Sequence, residues 1–403
     1  MSKWEWKKLK DVCVFIGDGD WIESKDQSSK GIRLIQTGNI GNGIYLDKKE
    51  RSHYISETTF CRLHCTEIFP GDCLISRLPE PIGRACVIPD IAEKMITAVD
   101  CTIVRFCEFF APNFFIYYAQ SEKYFSDVKS ESTGATRKRI SRKNLENIKI
   151  PVSPLSEQKR IVKFLDEEFS KIDTLKTNAE TNLKNVKDLF KVELLKEFST
   201  TLWEKKKLGE VYNFIDYRGV TPNKLKEGIP LITAKNVRMG YIDYSVRDFI
   251  SESDYKKRQS RGIAHKGDIL FTTEAPLGFS AIADLDVFST GQRVIVFQQF
   301  KNEKNICNPF FNWYFQSIEF QKMIKENATG LTATGIKASR LKEIKIPLPP
   351  LSVQKEIVAR LDKLSENVKR LEANYKQIIV NCDELKKSIL KKTFEGDSRS
   401  SRE

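Results

Sequence analysis

The chain has 403 residues, enough for two domains with cores of their own. Apolar residues make up 40%, ordinary for a soluble globular protein, and no stretch is long and apolar enough to span a membrane. Lysine and arginine exceed aspartate and glutamate, giving a net charge of +13, which favours a polyanionic partner, most simply nucleic acid.

The first residues, MSKWEWKKLKDV, hold no apolar signal region, so a cytoplasmic protein is expected. Short β-rich runs follow: RLIQT, DCLIS, ACVIP and CTIVRF, separated by turns such as GNGI and PGD. Seven of the nine cysteines lie before residue 108. An odd count without a secretion signal argues for reduced thiols. Cys61, His64, Cys65 and Cys73, with His53 nearby, are the one group to check as a metal site. Their C-x3-C spacing is not a standard zinc knuckle, and small buried hydrophobes are the plainer reading; no metal is expected. GNIGNG (38–43) has its glycines in the wrong order for a dinucleotide loop. A helix is predicted over PNFFIYYAQSEKYFSDVK (112–129).

Next comes IPVSPLSEQKRIVKFLD (150–166), and almost the same words return as IPLPPLSVQKEIVARLD (346–362). Between Ile148–Asp166 and Ile344–Asp362, 13 of 19 positions are identical at an offset of 196. The repeat extends upstream. Thr133-Gly134 matches Thr329-Gly330, Gly71-Asp72 matches Gly267-Asp268, GIRLIQTGNI matches GIPLITAKNV, and WKKLKDVCVF matches KKKLGEVYNF. The chain is therefore two copies of one unit, a domain duplication rather than a stacked array. The second copy offers the strands PLITA, DILFTT, FSAIAD and RVIVFQQF, then a helix over NPFFNWYFQSIEFQKMIK. Asn308-Pro309-Phe310-Phe311 resembles an amino-methyltransferase motif but lacks its second proline, and no glycine-rich cofactor strand accompanies it.

After each globular part the prolines interrupt helix and ladder, Ser156 and Ser352 are predicted N-caps, and a long helix follows. In the second copy Ile357, Leu361, Leu364, Val368, Leu371, Tyr375, Ile378, Cys382, Leu385 and Ile389 step by 4 and 3, a heptad seam that demands a partner helix. In the first copy the seam is interrupted by Glu168, Asn182 and Glu193. The simplest partner of each helix is the other, and the short link between copies favours antiparallel pairing; an intermolecular coiled coil is the alternative. The predicted class is α+β, with two mostly-β domains, each followed by a long helix, the helices pairing as an antiparallel coiled coil. The expected segments are domains at 1–150 and 201–346, helices at 151–200 and 347–395, and a disordered tail at 396–403.

No catalytic constellation is legible. The three histidines, His53, His64 and His265, do not recur at equivalent places, and no Walker sequence exists. The motif I-P-x-x-P-L-S-x-Q-K-x-I-V-x-x-L-D, present twice, makes the chain resemble a type I restriction–modification specificity subunit, from Trp6 to about Phe394. The resemblance implies two target recognition domains, each reading half of a split, asymmetric double-stranded DNA target, with spacer helices fixing the gap. It implies no catalytic site in this chain. It further implies two modification subunits carrying S-adenosylmethionine and methylating adenine N6, and two restriction subunits using ATP, with Mg2+ for the partner chemistry. A coiled-coil scaffold, or a DNA-binding protein outside restriction–modification, is the alternative.

Loop equivalence nominates DNA-contacting residues. In the first copy these are Arg77, Arg84, Thr133, Gly134, Thr136, Arg137, Lys138 and Arg139. In the second they are Lys256, Lys257, Arg258, Arg261, Thr272, Thr273, Glu274, Thr329, Gly330, Thr332, Thr334 and Lys337. Lysine and arginine neutralise phosphates, and arginine reads guanine edges. Gly71-Asp72 and Gly267-Asp268, shared by both copies, are expected to be structural turns.

Overall fold

The structure, a computed structural model, describes residues 4–134, 138–199, 203–219, 221–330 and 334–395. The chain divides into two compact units, Met1–Glu180 with Gln377–Glu403, and Thr181–Lys376. Both cuts fall inside long helices, for a packing reason given below.

In the first unit four antiparallel strands lie in the spatial order Cys13–Asp18, Cys101–Phe106, Cys73–Ser76, Ala85–Val87. Successive side chains point to opposite faces, and both faces are covered, so the strands are apolar throughout. Cys73, Ile75 and Val104 face helices carrying Phe114, Phe115 and Tyr124. Leu74, Cys86 and Ile103 face Ile35, Ile68 and Met95. Ile35, Ile68 and Met95 belong to a second, five-stranded sheet in which Ile32–Ile35 and Met95–Thr97 run parallel. The second unit repeats the frame with Tyr212–Asp216, Val294–Gln299, Ile269–Thr272 and Ser280–Ile282 in the same order. Its second sheet has three strands. Gly71 and Gly267 turn at φ +92° and +93°, where a side chain would be strained, and Asp72 and Asp268 each accept a backbone N–H three residues back.

The helix predicted over 112–129 is two, Pro112–Tyr118 and Glu122–Ser130. Ser121 stops the first and caps the second by accepting from the Tyr124 N–H. The second unit breaks at Ser317, between Asn308–Gln316 and Ile318–Asn327, with the same cap onto Phe320.

The proline-rich joint also differs from expectation. Its first residues are a strand: Lys149–Val152 pairs with Glu5–Lys8, and Lys345–Pro347 with Lys205–Lys207. Pro151 and Pro347 fit because each ladder has only two strands, so the missing N–H need not face a neighbour. The long helices start at Leu155 and Leu351, one residue before the serines expected to cap them. Pro154 and Pro350 supply the first accepting carbonyls.

The duplicated glutamine explains why the phrase is repeated. Gln158, fully buried, accepts from the Ala111 N–H and donates to the carbonyls of Phe109 and Ser153. Gln354 does the same with the Cys307 N–H and the carbonyls of Asn305 and Pro349. Eight residues on, Asp166 accepts from the Tyr117 hydroxyl at 2.5 Å and Asp362 from the Trp313 indole at 2.8 Å. The conserved wording inside this one chain is a clamp that fixes each domain to its helix.

The helices span Leu155–Phe198 and Leu351–Glu395, 44 and 45 residues, each about 66 Å long. Within each unit they run antiparallel. Asp173 meets Lys386 and Lys176 meets Asp383 in the first; Glu197 meets Arg360 in the second. The expected seam is only partly enclosed. Ile357, Leu361, Val368 and Cys382 are buried, whereas Leu371 and Leu385 are exposed. A pair of helices covers its seam from one side, and full burial comes where a domain adds another wall. The last turns do this most strongly. Leu390 and Phe394 enter the core of the first unit, where Phe394 packs on Trp4, Phe114 and Tyr118. Leu194 and Phe198 enter the core of the second, against Phe310 and Tyr314. Each compact unit thus holds a domain, the start of its own helix and the end of the other. Among the described residues, no helix is long and apolar enough to cross a membrane.

Candidate nucleic-acid interface

Strand direction decides what gathers at one end of each four-stranded sheet. Cys13–Asp18 and Cys73–Ser76 end where Cys101–Phe106 begins, so Asp18, Arg77 and Asp100 converge. The Arg77 N–H donates to the Asp100 carbonyl, and the Arg77 carbonyl accepts from the Ile140 N–H. That last bond brings in the ladder Ser132–Thr133 with Arg139–Ile140, which carries the Thr-Gly loop. Five charged side chains meet there. Arg77 pairs with Asp18 at 3.3 Å, Arg139 with Asp100 at 3.1 Å, and Arg142 reaches Asp18 at 4.0 Å. We call this edge the lip of the domain.

The second unit builds the same lip with different side chains. The Thr273 N–H donates to the Arg293 carbonyl, and the Thr273 carbonyl accepts from the Ile336 N–H. Gly335 bridges to both Thr329 and Glu274. Arg293 pairs with Glu274 at 3.2 Å, and Arg218 with Asp216 at 2.7 Å. Arg261 donates to the carbonyls of Asp216 and Arg218.

The residues nominated from sequence fall into four groups. Thr133, Gly134, Lys138 and Arg139 are exposed at the first lip, and Thr329, Gly330, Thr334 and Lys337 at the second, with Glu274 half-buried beside them. Thr136, Arg137 and Thr332 lie outside the described residues. The third group is inside the protein. Arg77 is 4% exposed and donates to the Val99 carbonyl; Arg84 is 8% exposed and donates to the carbonyls of Thr37, Ile40, Leu78 and Pro81. Arg258 is buried against Ser289 and the Thr290 carbonyl, over the Tyr217 ring. Burial pulls all three guanidinium pKa values down from their ordinary value. Thr272 and Thr273 are buried as well. These five side chains shape the lip from beneath, a correction to the expectation that they project toward a ligand. Lys256 and Lys257 are exposed on the helix Glu252–Arg258, and Arg261 is exposed beside Asp216.

Sequence reasoning missed Asp18, Asp100, Asp216, Arg218 and Arg293. One signal was available: FIGD (15–18) and FID (214–216) continue the repeat, so an aspartate ends both strands. Among the described residues no group of three or more histidine, cysteine or acidic side chains could hold a metal. A groove of the first unit, with a volume of about 860 Å³, lies against Tyr117, Asp166 and Phe169, away from the lip residues.

Comparison with known proteins agrees with this architecture. A family model described as type I restriction modification DNA specificity domain matches residues 1–185 and again residues 201–379. The type I restriction enzyme EcoKI specificity subunit of Escherichia coli (strain K12) is 24% identical over 391 residues, covering 90% of this chain and 82% of that protein. The putative MjaX specificity subunit of Methanocaldococcus jannaschii is 26% identical over 420 residues, covering 98% and 94%. Among solved structures, the HsdS subunit from Thermoanaerobacter tengcongensis superposes with a TM-score of 0.65 at 20% identity, covering 98% of this chain and 97% of that one. A chain from a study of complex assembly and conformational transition of the type I R-M system superposes with a TM-score of 0.76, at 20% identity and 98% coverage of both. With one model matching both halves, and the halves built on one frame, the chain belongs to the type I restriction–modification DNA specificity family.

Proposed function

We propose that this chain is the non-catalytic reader of a type I restriction–modification complex, each lip recognising one half of a bipartite, asymmetric DNA target. The observation that carries the reading is the contrast between two identical clamps and two unlike lips. Gln158 and Gln354 make the same three bonds, whereas the lips pair their charges differently. A duplicated frame with different charged rims is what reading two different half-sequences requires, as dimeric readers do on paired half-sites. The net charge of +13 supports a duplex partner. Two modification subunits, using S-adenosylmethionine for adenine methylation, and two restriction subunits, using ATP and Mg2+, complete the complex in this reading. The chemistry is then theirs, and this chain supplies address and scaffold in the cytoplasm.

The test is single-molecule sequencing of N6-methyladenine in cells making this chain with its modification subunit, against cells lacking only this chain. A split motif that disappears with the chain is expected. An unchanged methylation pattern would remove the reading and favour a scaffold that touches no DNA.

A further inference from the structure

The two lips carry the same device with its parts in different places. Ladder partners define the equivalence: Leu74 pairs with Ile103 as Leu270 pairs with Val296, and Thr133 pairs with Arg139 as Thr329 bridges to Gly335. On that frame Asp100 corresponds to Arg293, Arg139 to Gly335, and Leu78 to Glu274. In the first unit the arginine comes from the hairpin and the carboxylate from the sheet. In the second the arginine comes from the sheet and the carboxylate from the segment after the neighbouring strand. Each lip thus joins its sheet to the neighbouring segment through an arginine–carboxylate pair, Arg139–Asp100 in one and Arg293–Glu274 in the other, with the arginine entering from a different corner.

Exposure separates these two arginines from the buried Arg77, and pairing separates them from Arg142, which is 46% exposed but is shared between Asp18 and Glu146 of its own helix. The side chains of Arg139 and Arg293 are 44% and 61% exposed, against 5% for Arg77. Arg261 is exposed but spends its donors on two backbone carbonyls. A guanidinium held by a carboxylate at 3.1–3.2 Å is fixed in orientation and partly neutralised. Partial neutralisation weakens its draw on a phosphate, while a fixed planar fork suits two acceptors on one base edge. We propose that Arg139 and Arg293 are the specificity-determining arginines of the two half-targets, with Asp100 and Glu274 as the positioning residues that aim them. The proposal rests on the DNA-reading function above and adds which side chains discriminate and why the two halves differ.

The experiment repeats the methylation sequencing with Arg139→Gln, Arg293→Gln, Asp100→Asn and Glu274→Gln, each in the full chain with its modification subunit. For Arg293→Gln, discrimination falls about tenfold or more at one position of one half-motif, with the other half unchanged. Arg139→Gln does the converse. Asp100→Asn and Glu274→Gln relax the same positions less. Unchanged discrimination in both arginine variants would overturn the proposal, as would a uniform loss across all positions, the mark of a phosphate contact. No motif with the unaltered chain would instead remove the reading function beneath it. Arg139→Lys and Arg293→Lys keep the charge and lose the fork; unchanged discrimination there, in protein with an unaltered melting curve, would also sink it.

Discussion

The joint and the lip are both duplicated, yet one is nearly constant and the other is not. Across the joint, 13 of 19 residues are identical, the same glutamine makes the same three backbone bonds, and the same aspartate accepts from a facing aromatic side chain, Tyr117 or Trp313. Across the lip, Asp100 faces Arg293, Arg139 faces Gly335 and Leu78 faces Glu274 in the ladder alignment. The difference follows from what each region bonds to. The joint satisfies backbone groups, which are the same in every chain. The lip carries side chains whose partner lies outside the protein. A duplication under that division keeps its hinge and lets its rims diverge.

The comparison can be broken at either region. The largest stability effect is expected where the end of one helix completes the other domain. Phe394→Ala removes a ring buried among Trp4, Phe114 and Tyr118, and a loss of about 3–5 kcal/mol in chemical denaturation is expected. A wild-type midpoint would show that the last turn is not part of that core. Next comes the clamp. Gln158→Ala strands the Ala111 N–H and two carbonyls, each orphaned buried group costing about 1–3 kcal/mol. Gln354→Ala should cost a similar amount; a large effect in one and none in the other would break the claim that the joints are equivalent. At the lip the expected signature is in binding instead of folding. Lys138→Ala should leave the melting curve alone and weaken all duplexes alike, with the salt slope shallower by about 1. A sequence-selective loss would move Lys138 from phosphate contact to base reading. Smallest of all, Lys176→Ala removes an exposed bridge to Asp383 and should cost about 0.2–1 kcal/mol by double-mutant cycle.

Much of the fold was legible because its signals are local or repeated. Runs such as CTIVRF and RVIVFQQF became central strands, since β-branched and aromatic residues fit a sheet buried on both faces. The antiparallel helix pair followed from heptad spacing and a short link. The misses share a cause: side chains whose role depends on distant partners. Ser121 and Ser317 look like any serine inside an apolar helical run until their hydroxyls cap a second helix. Leu390 and Phe394 sit beside the heptad seam and are buried by residues almost 300 or more positions away in the chain, among them Trp4 and Phe114. At the candidate interface, arginine in a basic run signals a phosphate contact, but Arg77, Arg84 and Arg258 are turned inward to backbone carbonyls. Composition cannot distinguish the two, because the same guanidinium serves both. Among the lip's acidic residues Glu274 was nominated, but Asp18, Asp100 and Asp216 were missed for the complementary reason: a search for DNA-binding residues looks for cations and passes over the aspartates that pair with them.

The placement of Leu390 and Phe394 has a consequence for the chain as it leaves the ribosome. Domains generally fold in the order in which they are made. Here the first domain is synthesised early, but two of its core side chains, Leu390 and Phe394, come after the whole of the second unit. The second unit, Thr181–Lys376, is wholly translated before they emerge. The half that is made first is therefore finished last. Until Leu390 and Phe394 are made, an apolar gap beside Trp4, Phe114 and Tyr118 waits for that helix turn.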